Sequence, residues 1–302
     1  MRYNIYKKGG TAMARPVWTA ERTTRALVRR LLPVRSRWAH KGDFGKKAML
    51  LCGSKGLAGA AMLAAKAALR TGSGLVYLGV PEAIYPIAAG SCASAVVFPL
   101  TCDESGKFSM DAARELEKRL PGMDAVLFGC GVGQSEELYG LFRWLCENCR
   151  VPLVLDADGI NLLAQHMDVL RGSKCPVILT PHDGEFRRLG GDPKANDRVG
   201  EAMRFAFETG TILLLKGHRT IITDGQNVYR NTTGNPGMAT GGSGDVLSGV
   251  IVSLLGQHVM PLEAAAAGAW IHGAAGDLAA REIGEYGMIP EDIIERLPRL
   301  LR

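Results

Sequence analysis

Long apolar runs are missing from this sequence. No stretch reaches the roughly 18 uninterrupted apolar residues that cross a membrane as a helix, although 47% of the residues are hydrophobic. With 22% charged residues, this balance is typical of a globular protein, and 302 residues suffice for one large α/β domain. We therefore expect no membrane partner.

Regularly spaced cysteines are also missing. The seven cysteines are an odd number without a repeating interval, which argues against a disulfide framework and indicates a reducing compartment, the cytoplasm. Cys146 and Cys149 form an isolated CxxC, but no second pair and no histidine follows at the spacing of a zinc site. We interpret this pair as partly buried thiols on a helix.

Acidic residues are scarce at the N-terminus. Residues 1–47 hold thirteen Lys and Arg but only Glu21 and Asp43, whereas the rest of the chain has more acidic than basic residues. The net charge of +6 therefore belongs to the N-terminal segment, and we expect no nucleic-acid partner for the body of the protein.

The basic segment itself has two interpretations. An Arg-rich, acid-poor start is typical of a transit peptide. The stretch WTAERTTRALVRRLLP (18–33), however, predicts a short amphipathic helix over 18–32 that packs on the domain and ends at Pro33. We favour the packed helix. Residues 1–12 have no apolar pattern and are predicted to be a tail, with Met13 as an alternative start.

From residue 48 onward, short apolar runs alternate with helical patterns. Strands that are apolar on consecutive residues are buried on both faces, so the alternation predicts a mainly parallel sheet covered by helices. The predicted strands are 48–52, 74–80, 95–98, 125–128, 152–156, 176–180 and 211–216, followed by an antiparallel excursion over 220–230 with an Asp-Gly turn. The predicted helices are 57–71, 110–119, 135–149, 195–209, 243–256, 261–281 and 290–301.

A glycine-rich run precedes one of these helices. In GGSGD (241–245), glycines allow close backbone approach, and Ser243 or Gly244 stands where the helix should begin. The unpaired N–H groups of a helix start bind anions such as phosphate. Asp245 beside such a site would repel the ligand unless it takes the proton of an attacking hydroxyl, as a base does in phosphoryl transfer. A turn capped by Ser243, with Asp245 as a capping residue, is the structural alternative.

Other strand ends carry polar residues, and ligands bind at the carboxyl ends of parallel strands. His182 and Glu185 follow one strand. His182 either binds a substrate or forms a hydrogen bond with a local backbone group. Glu185 either holds magnesium through a water molecule or is simply a residue in the first turn of a helix. Asp156 and Asp158 follow another strand. They are either helix caps or acidic residues beside a metal ion, and capping is favoured for Asp158. No Lys-Ser/Thr pair follows the glycine run, which excludes a Walker-type P-loop.

Taken together and in order, these pieces resemble the ADP/ATP-dependent NAD(P)H-hydrate dehydratases of the ribokinase-like superfamily. The motifs are HKGDFG (40–45), GSKGLAGAAMLAAKAALRTGSGLV (53–76), VLDADGINLLA (154–164), ILTPHDGEF (178–186), LLKGHRTIITDG (214–225), GNPGMATGGSGDVLSGVI (234–251) and AWIHGAAGD (269–277). The resemblance covers about residues 36–302, which divides the chain into a basic N-terminal extension (1–35) and one ribokinase-like three-layer α/β sandwich (36–302).

The resemblance implies a lyase that repairs damaged cofactors. Its substrate would be the S epimer of hydrated NADH or NADPH, whose added hydroxyl is phosphorylated from a nucleotide before phosphate leaves and the double bond returns. ADP would be the co-substrate, giving AMP and phosphate, with magnesium on the phosphates and no evident protein ligands for it. A homo-oligomer, a tetramer, is implied. Only about 35 residues precede the match, so a separate NAD(P)H-hydrate epimerase is the expected partner.

The resemblance also assigns residues to the two ligands. Four would contact the hydrated dinucleotide: Ala60, Gly131, His182 and Asp245, the last of which would be catalytic. Six would contact the adenine nucleotide: Lys216, Gly217, His218, Arg219, Thr220 and Gly244.

Two positions depart from the family's usual pattern. Asp183 stands where the family has Pro, which adds negative charge and leaves the choice between NADH-hydrate and NADPH-hydrate open, and Gly159 stands where it often has Ala. GGSGD also occurs in vitamin-type kinases of the same superfamily, which act on hydroxymethylpyrimidine, thiazole or pyridoxal alcohols. That kinase activity is the main alternative, and a non-catalytic nucleotide-binding module is disfavoured by the presence of Asp245.

Overall fold

The computed structural model describes residues 19–34, 37–38 and 47–301. The predicted tail 1–12, the alternative start Met13 and the motif HKGDFG (40–45) lie outside these residues. The strands are β1 (Glu21–Arg22), β2 (Lys47–Leu51), β3 (Leu75–Pro81), β4 (Val96–Leu100), β5 (Ala125–Phe128), β6 (Leu153–Leu155), β7 (Val177–Leu179), β8 (Ile212–Leu215), β9 (Ile221–Thr223) and β10 (Val228–Arg230).

The helices follow the strands in alternation. They are α1 (Arg25–Leu31), α2 (Ala58–Arg70), α3 (Tyr85–Ser91), α4 (Ala112–Arg119), α5 (Glu136–Asn148), α6 (Asp158–Gln165), α7 (Asp183–Arg188), α8 (Arg198–Thr209), α9 (Ser243–Gly256), α10 (Pro261–Ile283) and α11 (Pro290–Leu300). Short 3₁₀ turns occur at Glu82–Ile84, Met167–Gly172 and Pro236–Met238.

The described strands form one ten-stranded sheet in the order β1-β10-β9-β8-β7-β6-β5-β2-β3-β4. Strands β2 to β8 pair in parallel, while β9 is antiparallel to both β8 and β10. The predicted Asp-Gly turn joins β9 to β10, where Asp224 Oδ1 accepts hydrogen bonds from the N–H groups of Gln226 and Asn227.

Both faces of the sheet carry a hydrophobic core. Alternate side chains of β2 point to opposite faces, Leu50 into a core with α2, α9, α10 and α11, and Met49 into a core with α4, α5, α6 and α8. The predicted mainly parallel sheet with helices on both faces, a three-layer sandwich, is therefore confirmed. No helix of the described residues is long and apolar enough to cross a membrane.

Helix α9 lies at the centre of the first core and is buried along nearly its whole length, against α2 and α10. Gly249 faces α2, where a Cβ atom would lie only 2.3 Å from the carbonyl oxygen of Ala64. A Cβ atom at Gly268 of α10 would lie 2.7 Å from the side-chain Cγ1 of Ile251 and 3.7 Å from its Cα. Glycine thus lets α2 approach the backbone of α9 and lets α10 pack against the Ile251 side chain.

The N-terminal segment differs from the prediction. The expected helix over 18–32 is wrong in its first half, because residues Glu21–Arg22 instead form the edge strand β1, which pairs in parallel with β10. The helix begins only after Thr24, whose side chain accepts a hydrogen bond from Leu27 N. Leu27 and Val28 are buried and α1 packs against α10.

Two further expectations need correction. The Asp158 side chain does not cap α6; its Oδ2 accepts a hydrogen bond from Gly133 N at 2.8 Å instead. Cys146 and Cys149 are fully buried, not partly buried, and Cys149 lies just past the end of α5.

Candidate active site

The glycine run forms the start of α9. Gly242, with φ +92°, precedes the helix, and no side chain caps it. The N–H groups of Gly244 and Asp245 donate no hydrogen bond within the described part of the chain. Ser243 does not cap the helix, since its Oγ lies 3.3 Å from Nε2 of the buried His272. The helix start therefore presents free donors and the positive end of the helix dipole, which suits an anion.

Asp245 lies in the first turn of α9 and has an unusual acidity. Burial, and then the nearby charge of Asp156, raise its pKa from 3.8 to about 6. The interaction with the Cys130 thiol and the charge of Lys216 act in the opposite direction but are weaker. A carboxylate with a pKa near 6 is ionised at neutral pH and is still basic enough to accept a proton from a hydroxyl.

An ion pair lies beside this carboxylate. Lys216 Nζ is 2.9 Å from Asp156 Oδ1 and 3.7 Å from Glu185 Oε2, while Ser248 Oγ donates to Asp156 Oδ2 at 2.7 Å. Burial alone would lower the pKa of Lys216, but the charges of the two carboxylates outweigh it and leave the pKa raised. The lysine therefore stays positively charged next to the helix start.

Gly244 lies beside this lysine and its carboxylate partner. A Cβ atom there would lie 3.4 Å from Lys216 Nζ and 3.6 Å from Asp156 Oδ2. Three predicted residues, Gly244, Asp245 and Lys216, are thus neighbours around Asp156. The sequence had left the role of Asp156 open, and the structure makes it the buried partner of Lys216.

Two other predicted residues meet on the neighbouring strand ends. A Cβ atom at Gly131, which has φ +67°, would lie 2.8 Å from the Cβ of Ala60. Ser54 Oγ donates to the carbonyl oxygen of Gly131 at 2.8 Å and holds the two loops together. Cys130, next in the chain, connects this pair to Asp245, because one atom each of Cys130, Asp156 and Asp245 lie within 4.8 Å of one another.

His182 precedes α7 and caps it. Its Nδ1 accepts hydrogen bonds from Gly184 N at 2.9 Å and Glu185 N at 3.2 Å, while Glu185 Oε2 accepts one from His182 N at 2.8 Å. Since Nδ1 accepts, the ring proton lies on Nε2. The side chain is 55% exposed. The histidine thus satisfies local backbone groups, as the structural alternative expected. Its Nε2 lies 3.5 Å from Glu185 Oε1, so a ligand that accepts the Nε2 proton would compete with this carboxylate.

The segment 217–220 continues away from the helix start. Thr220 Oγ1 donates to the carbonyl oxygen of Gly217 at 3.0 Å, and Lys216 N donates to Pro181 O at 2.8 Å. His218 and Arg219 are exposed and line a separate cavity of about 450 Å³ at the sheet edge. The structure therefore does not place these two side chains around Asp245.

Sequence reasoning missed Cys130 and Ser248. Cys130 stands between two glycines in GCGVG and is fully buried, and nothing in its sequence setting distinguishes it from a core residue. Ser248 lies one turn after Asp245 on α9, so the helical spacing from Asp245 is the signal that would have placed it on the same face.

The cluster of Cys130, Asp156 and Asp245 is the described group that comes nearest to a metal site. Magnesium requires oxygen ligands in octahedral geometry. An interaction with Cys52, and then burial, raise the pKa of the Cys130 thiol well above its usual value, and Asp156 is already occupied by Lys216 and Ser248. These side chains do not fit a resident magnesium ion.

Comparison with known proteins bears on this arrangement. The family model described as NAD(P)H-hydrate dehydratase matches residues 48–299. The chain belongs to this family. The match includes every strand from β3 to β10 and all the residues of the site described above.

Two relatives illustrate the range of this dehydratase family. The bifunctional NAD(P)H-hydrate repair enzyme Nnr of Moorella thermoacetica is 44% identical over 92% of this chain and 53% of its own length. The ADP-dependent (S)-NAD(P)H-hydrate dehydratase of Cenarchaeum symbiosum is 37% identical over 91% of this chain and 94% of its own length. The chain spans about half the length of the first curated relatives that it matches.

The fold agrees with solved members of the dehydratase family. The ADP/ATP-dependent NAD(P)H-hydrate dehydratase of Bacillus subtilis, co-crystallised with ATP and Mg²⁺, has a TM-score of 0.80 and 29% identity, covering 93% of this chain and 97% of that one. The ribokinase-like fold that the motifs predicted is thereby confirmed.

Proposed function

We propose that this protein is a nucleotide-dependent dehydratase of hydrated NADH and NADPH, acting on the S epimer with ADP as co-substrate. The terminal phosphoryl group of ADP passes to the hydroxyl added to the nicotinamide ring, which leaves AMP. Phosphate then departs from the ring carbon with the bonding electrons, a proton leaves the neighbouring carbon, and the double bond returns. The observation that carries the proposal is Asp245, with its raised pKa, beside the unpaired donors of α9.

Asp245 is the base of the first step. The attacking hydroxyl must lose its proton as its oxygen bonds to phosphorus, and a carboxylate whose pKa is about 6 accepts that proton at neutral pH. The N–H groups of Gly244 and Asp245 point to the same place and bind the phosphoryl oxygens. The helix start thus holds the charge that develops while Asp245 takes the proton.

Lys216 supplies the positive charge of the nucleotide site. Its ammonium group lies 3.4 Å from the space that a Cβ at Gly244 would fill, which is the side of the helix start where a phosphate would sit. The buried Asp156 keeps the lysine protonated and fixes its position. We assign Gly217, His218, Arg219 and Thr220 to the remainder of the nucleotide, because they continue directly from Lys216.

The hydrated dinucleotide would lie over the ends of β2, β5 and β7. Ala60 and Gly131 are small and close together there, so the nicotinamide ring can approach the helix start, and His182 Nε2 can donate to its carboxamide. A cavity of about 570 Å³ lies beside Ala60, lined by residues that include Lys55, Ile84, Ile87, Asp103 and Glu104. Its apolar side chains suit a ring of the dinucleotide, and the phosphates of the dinucleotide would lie towards Lys55 and away from the two carboxylates.

Magnesium would enter with the nucleotide phosphates, since the described side chains offer it no cage of oxygens. The two epimers of the hydrate require an epimerase to supply the reactive one, and we propose an NAD(P)H-hydrate epimerase as the functional partner. Assembly as a homotetramer is the further expectation, to be checked by the mass of the protein in solution.

The direct experiment is turnover of hydrated NADH with ADP and magnesium, followed by the return of dihydronicotinamide absorbance and by chromatography of AMP. Parent protein should form NADH and AMP in equal amounts, and Asp245→Asn should not. Asp168→Asn, which replaces an exposed carboxylate of the 3₁₀ turn Met167–Gly172 that contacts none of the site residues named above, serves as the matched control and should retain the parent rate.

Two results would overturn the proposal. One is the absence of NADH formation by well-folded parent protein with either ADP or ATP. The other is accumulation of a phosphorylated vitamin alcohol when hydroxymethylpyrimidine, thiazole or pyridoxal alcohols are offered with ATP, which would establish a kinase instead.

A further inference from the structure

A basic cavity lies at the sheet edge where the N-terminal segment meets the domain. It has a volume of about 450 Å³ and is lined by Ala20, Arg22, His218, Arg219, Arg230 and Thr232. Three of these six residues are arginines, and no described carboxylate is among them. Residues 20 and 22 precede the region 48–299 that the family model matches, so this wall of the cavity is outside that match.

Strand pairing forces two of the arginines together. Arg22 of β1 stands directly opposite Arg230 of β10 in the parallel ladder. Because side chains alternate along a strand, Arg22 and Arg230 face the cavity, while Glu21 and Tyr229 face the other side, where the charge of Glu21 raises the pKa of Tyr229 after burial. Like charges at directly opposite positions destabilise a strand pair.

Arg219, the third arginine, adds another positive charge to the cavity. Arg219 adopts a left-handed backbone conformation, with φ +61°, which is uncommon for a residue other than glycine and occurs often at binding sites. Arg22 Nε donates to Thr232 Oγ1 at 3.0 Å. None of the three guanidinium groups forms an ion pair with a carboxylate of the described residues. An anion in the cavity would remove the repulsion among them.

We propose that this cavity is an anion site that binds a phosphate group, and that Arg22, Arg219 and Arg230 hold it. The planar, doubly donating guanidinium matches phosphate oxygens, and several arginines around one cavity are typical of phosphate recognition. The β1 strand thus completes a binding site of the domain by contributing Arg22.

The source of the phosphate follows from the position of the cavity, and this step rests on the proposed function. Arg219 is three residues after Lys216, so their Cα atoms are at most about 11 Å apart, and Lys216 Nζ lies beside Gly244. His218 and Arg219, which line the cavity, belong to the segment assigned above to the nucleotide, so a ligand of the proposed reaction is the candidate source of the phosphate. Two ligands of the proposed reaction carry a phosphate group: the adenine nucleotide, which the segment 217–220 favours, and NADPH-hydrate, whose additional ribose phosphate would have to lie apart from the cavity beside Ala60.

The test uses the full chain and measures binding by calorimetry. The variants are Arg22→Gln, Arg230→Gln and the double substitution, with Arg25→Gln as the matched control, because Arg25 is an exposed arginine of the same segment that does not line the cavity. The probes are AMP, NAD⁺ and NADP⁺. We expect the double variant to bind at least one phosphate-bearing probe about tenfold more weakly, as loss of charge-assisted hydrogen bonds predicts, and Arg25→Gln to match the parent.

The probes distinguish the two sources. Weaker binding of AMP identifies the nucleotide, whereas weaker binding of NADP⁺ with unchanged NAD⁺ identifies the additional ribose phosphate; either result supports the site. Equal affinities of parent and double variant for all three probes would overturn it. These measurements need no turnover, so a chain without dehydratase activity could still show the site, and an active dehydratase could still lack it.

A second measurement covers variants that fold poorly. Pyrophosphate should raise the melting temperature of the parent above its value in chloride at equal ionic strength, and Arg219→Gln, which leaves β1 untouched, should lose part of that increase. In phosphate-free buffer, Arg22→Gln and Arg230→Gln should melt no lower than Arg25→Gln, because each removes a repulsion. A parent melting temperature that does not respond to pyrophosphate contradicts the proposal.

Discussion

Replacing Asp245 by Asn would separate the energetic cost of burying this carboxylate from its catalytic use. Its pKa rises from 3.8 to about 6 in the folded protein, chiefly through burial and then through Asp156. At about 1.4 kcal/mol per pKa unit, this difference corresponds to about 3 kcal/mol. The folded protein binds the proton more tightly than the unfolded chain, so the ionised carboxylate destabilises the fold.

Because the pKa of Asp245 is raised in the folded protein, its effect on the free energy of unfolding depends on pH in a distinctive way. Below pH 3.8 Asp245 is protonated in both states, and the destabilisation is absent; it grows as the pH rises towards about 6 and is complete above that value. Asn cannot ionise. We therefore expect Asp245→Asn to exceed the parent in free energy of unfolding by up to about 3 kcal/mol at pH 8, with the difference vanishing near pH 4.

Urea unfolding of both proteins at several pH values between 4 and 8 measures this difference. Asp168→Asn, which makes the same substitution at an exposed position, is the control. If Asp245→Asn is no more stable than the parent at pH 8, then the ionised Asp245 carboxylate does not destabilise the folded protein and the reasoning fails.

The same variant should lose activity. The rate of the parent should fall as the pH drops through about 6, because Asp245 becomes protonated. Removing a general base typically lowers a rate by about 10² to 10⁴, so single-turnover rates with hydrated NADH and ADP should decrease by that order. AMP affinity should persist or increase because a negative charge has left the helix start. A variant that keeps more than about a tenth of the parent rate would place the base elsewhere.

Three other substitutions test the surroundings of the site. Lys216→Met should lower the free energy of unfolding by about 3 to 5 kcal/mol, because it leaves the buried Asp156 carboxylate without its cationic partner and with only the hydrogen bond from Ser248; an unchanged urea midpoint would contradict this. His182→Ala should weaken binding of the hydrated dinucleotide and remove a helix cap worth about 1 kcal/mol, while AMP affinity stays the same; unchanged substrate affinity would leave only the structural role. Gly129→Ala should melt well below the parent, since its Cβ would lie 2.1 Å from the carbonyl oxygen of Asp156, whereas Gly90→Ala, with open space around it, should not; equal melting temperatures would refute the packing argument.

The sequence predicted the parts of the fold that local chemistry controls. Strands such as 125–128 are apolar at consecutive positions because both faces of the sheet are covered, and this pattern does not depend on distant contacts. The start of α9 was equally predictable, since the glycines and Ser243 precede a long apolar helix. The relation of Asp245 to that start followed from its place in the first turn.

Elements that depend on distant partners were not predictable. The strand β1 has two residues and exists because it pairs with β10, which lies about 200 positions later in the chain. The sequence did not show where α7 begins. Its N-cap is His182, which accepts hydrogen bonds from backbone N–H groups of the first turn, and histidine is outside the usual capping set of Ser, Thr, Asp and Asn. The contribution of Cys130 to the surroundings of Asp245 depends on the approach of β5 to α9, which no local pattern encodes.

The close packing of α9 through Gly249 and Gly268 also constrains how the site can move. The backbone of α9 nearly touches that of α2, and α10 packs against the Ile251 side chain, so α9 has little room to shift or rotate, because protein interiors resist compression. Asp245 and the donors beside it are therefore set in place when the domain folds and do not wait for a substrate.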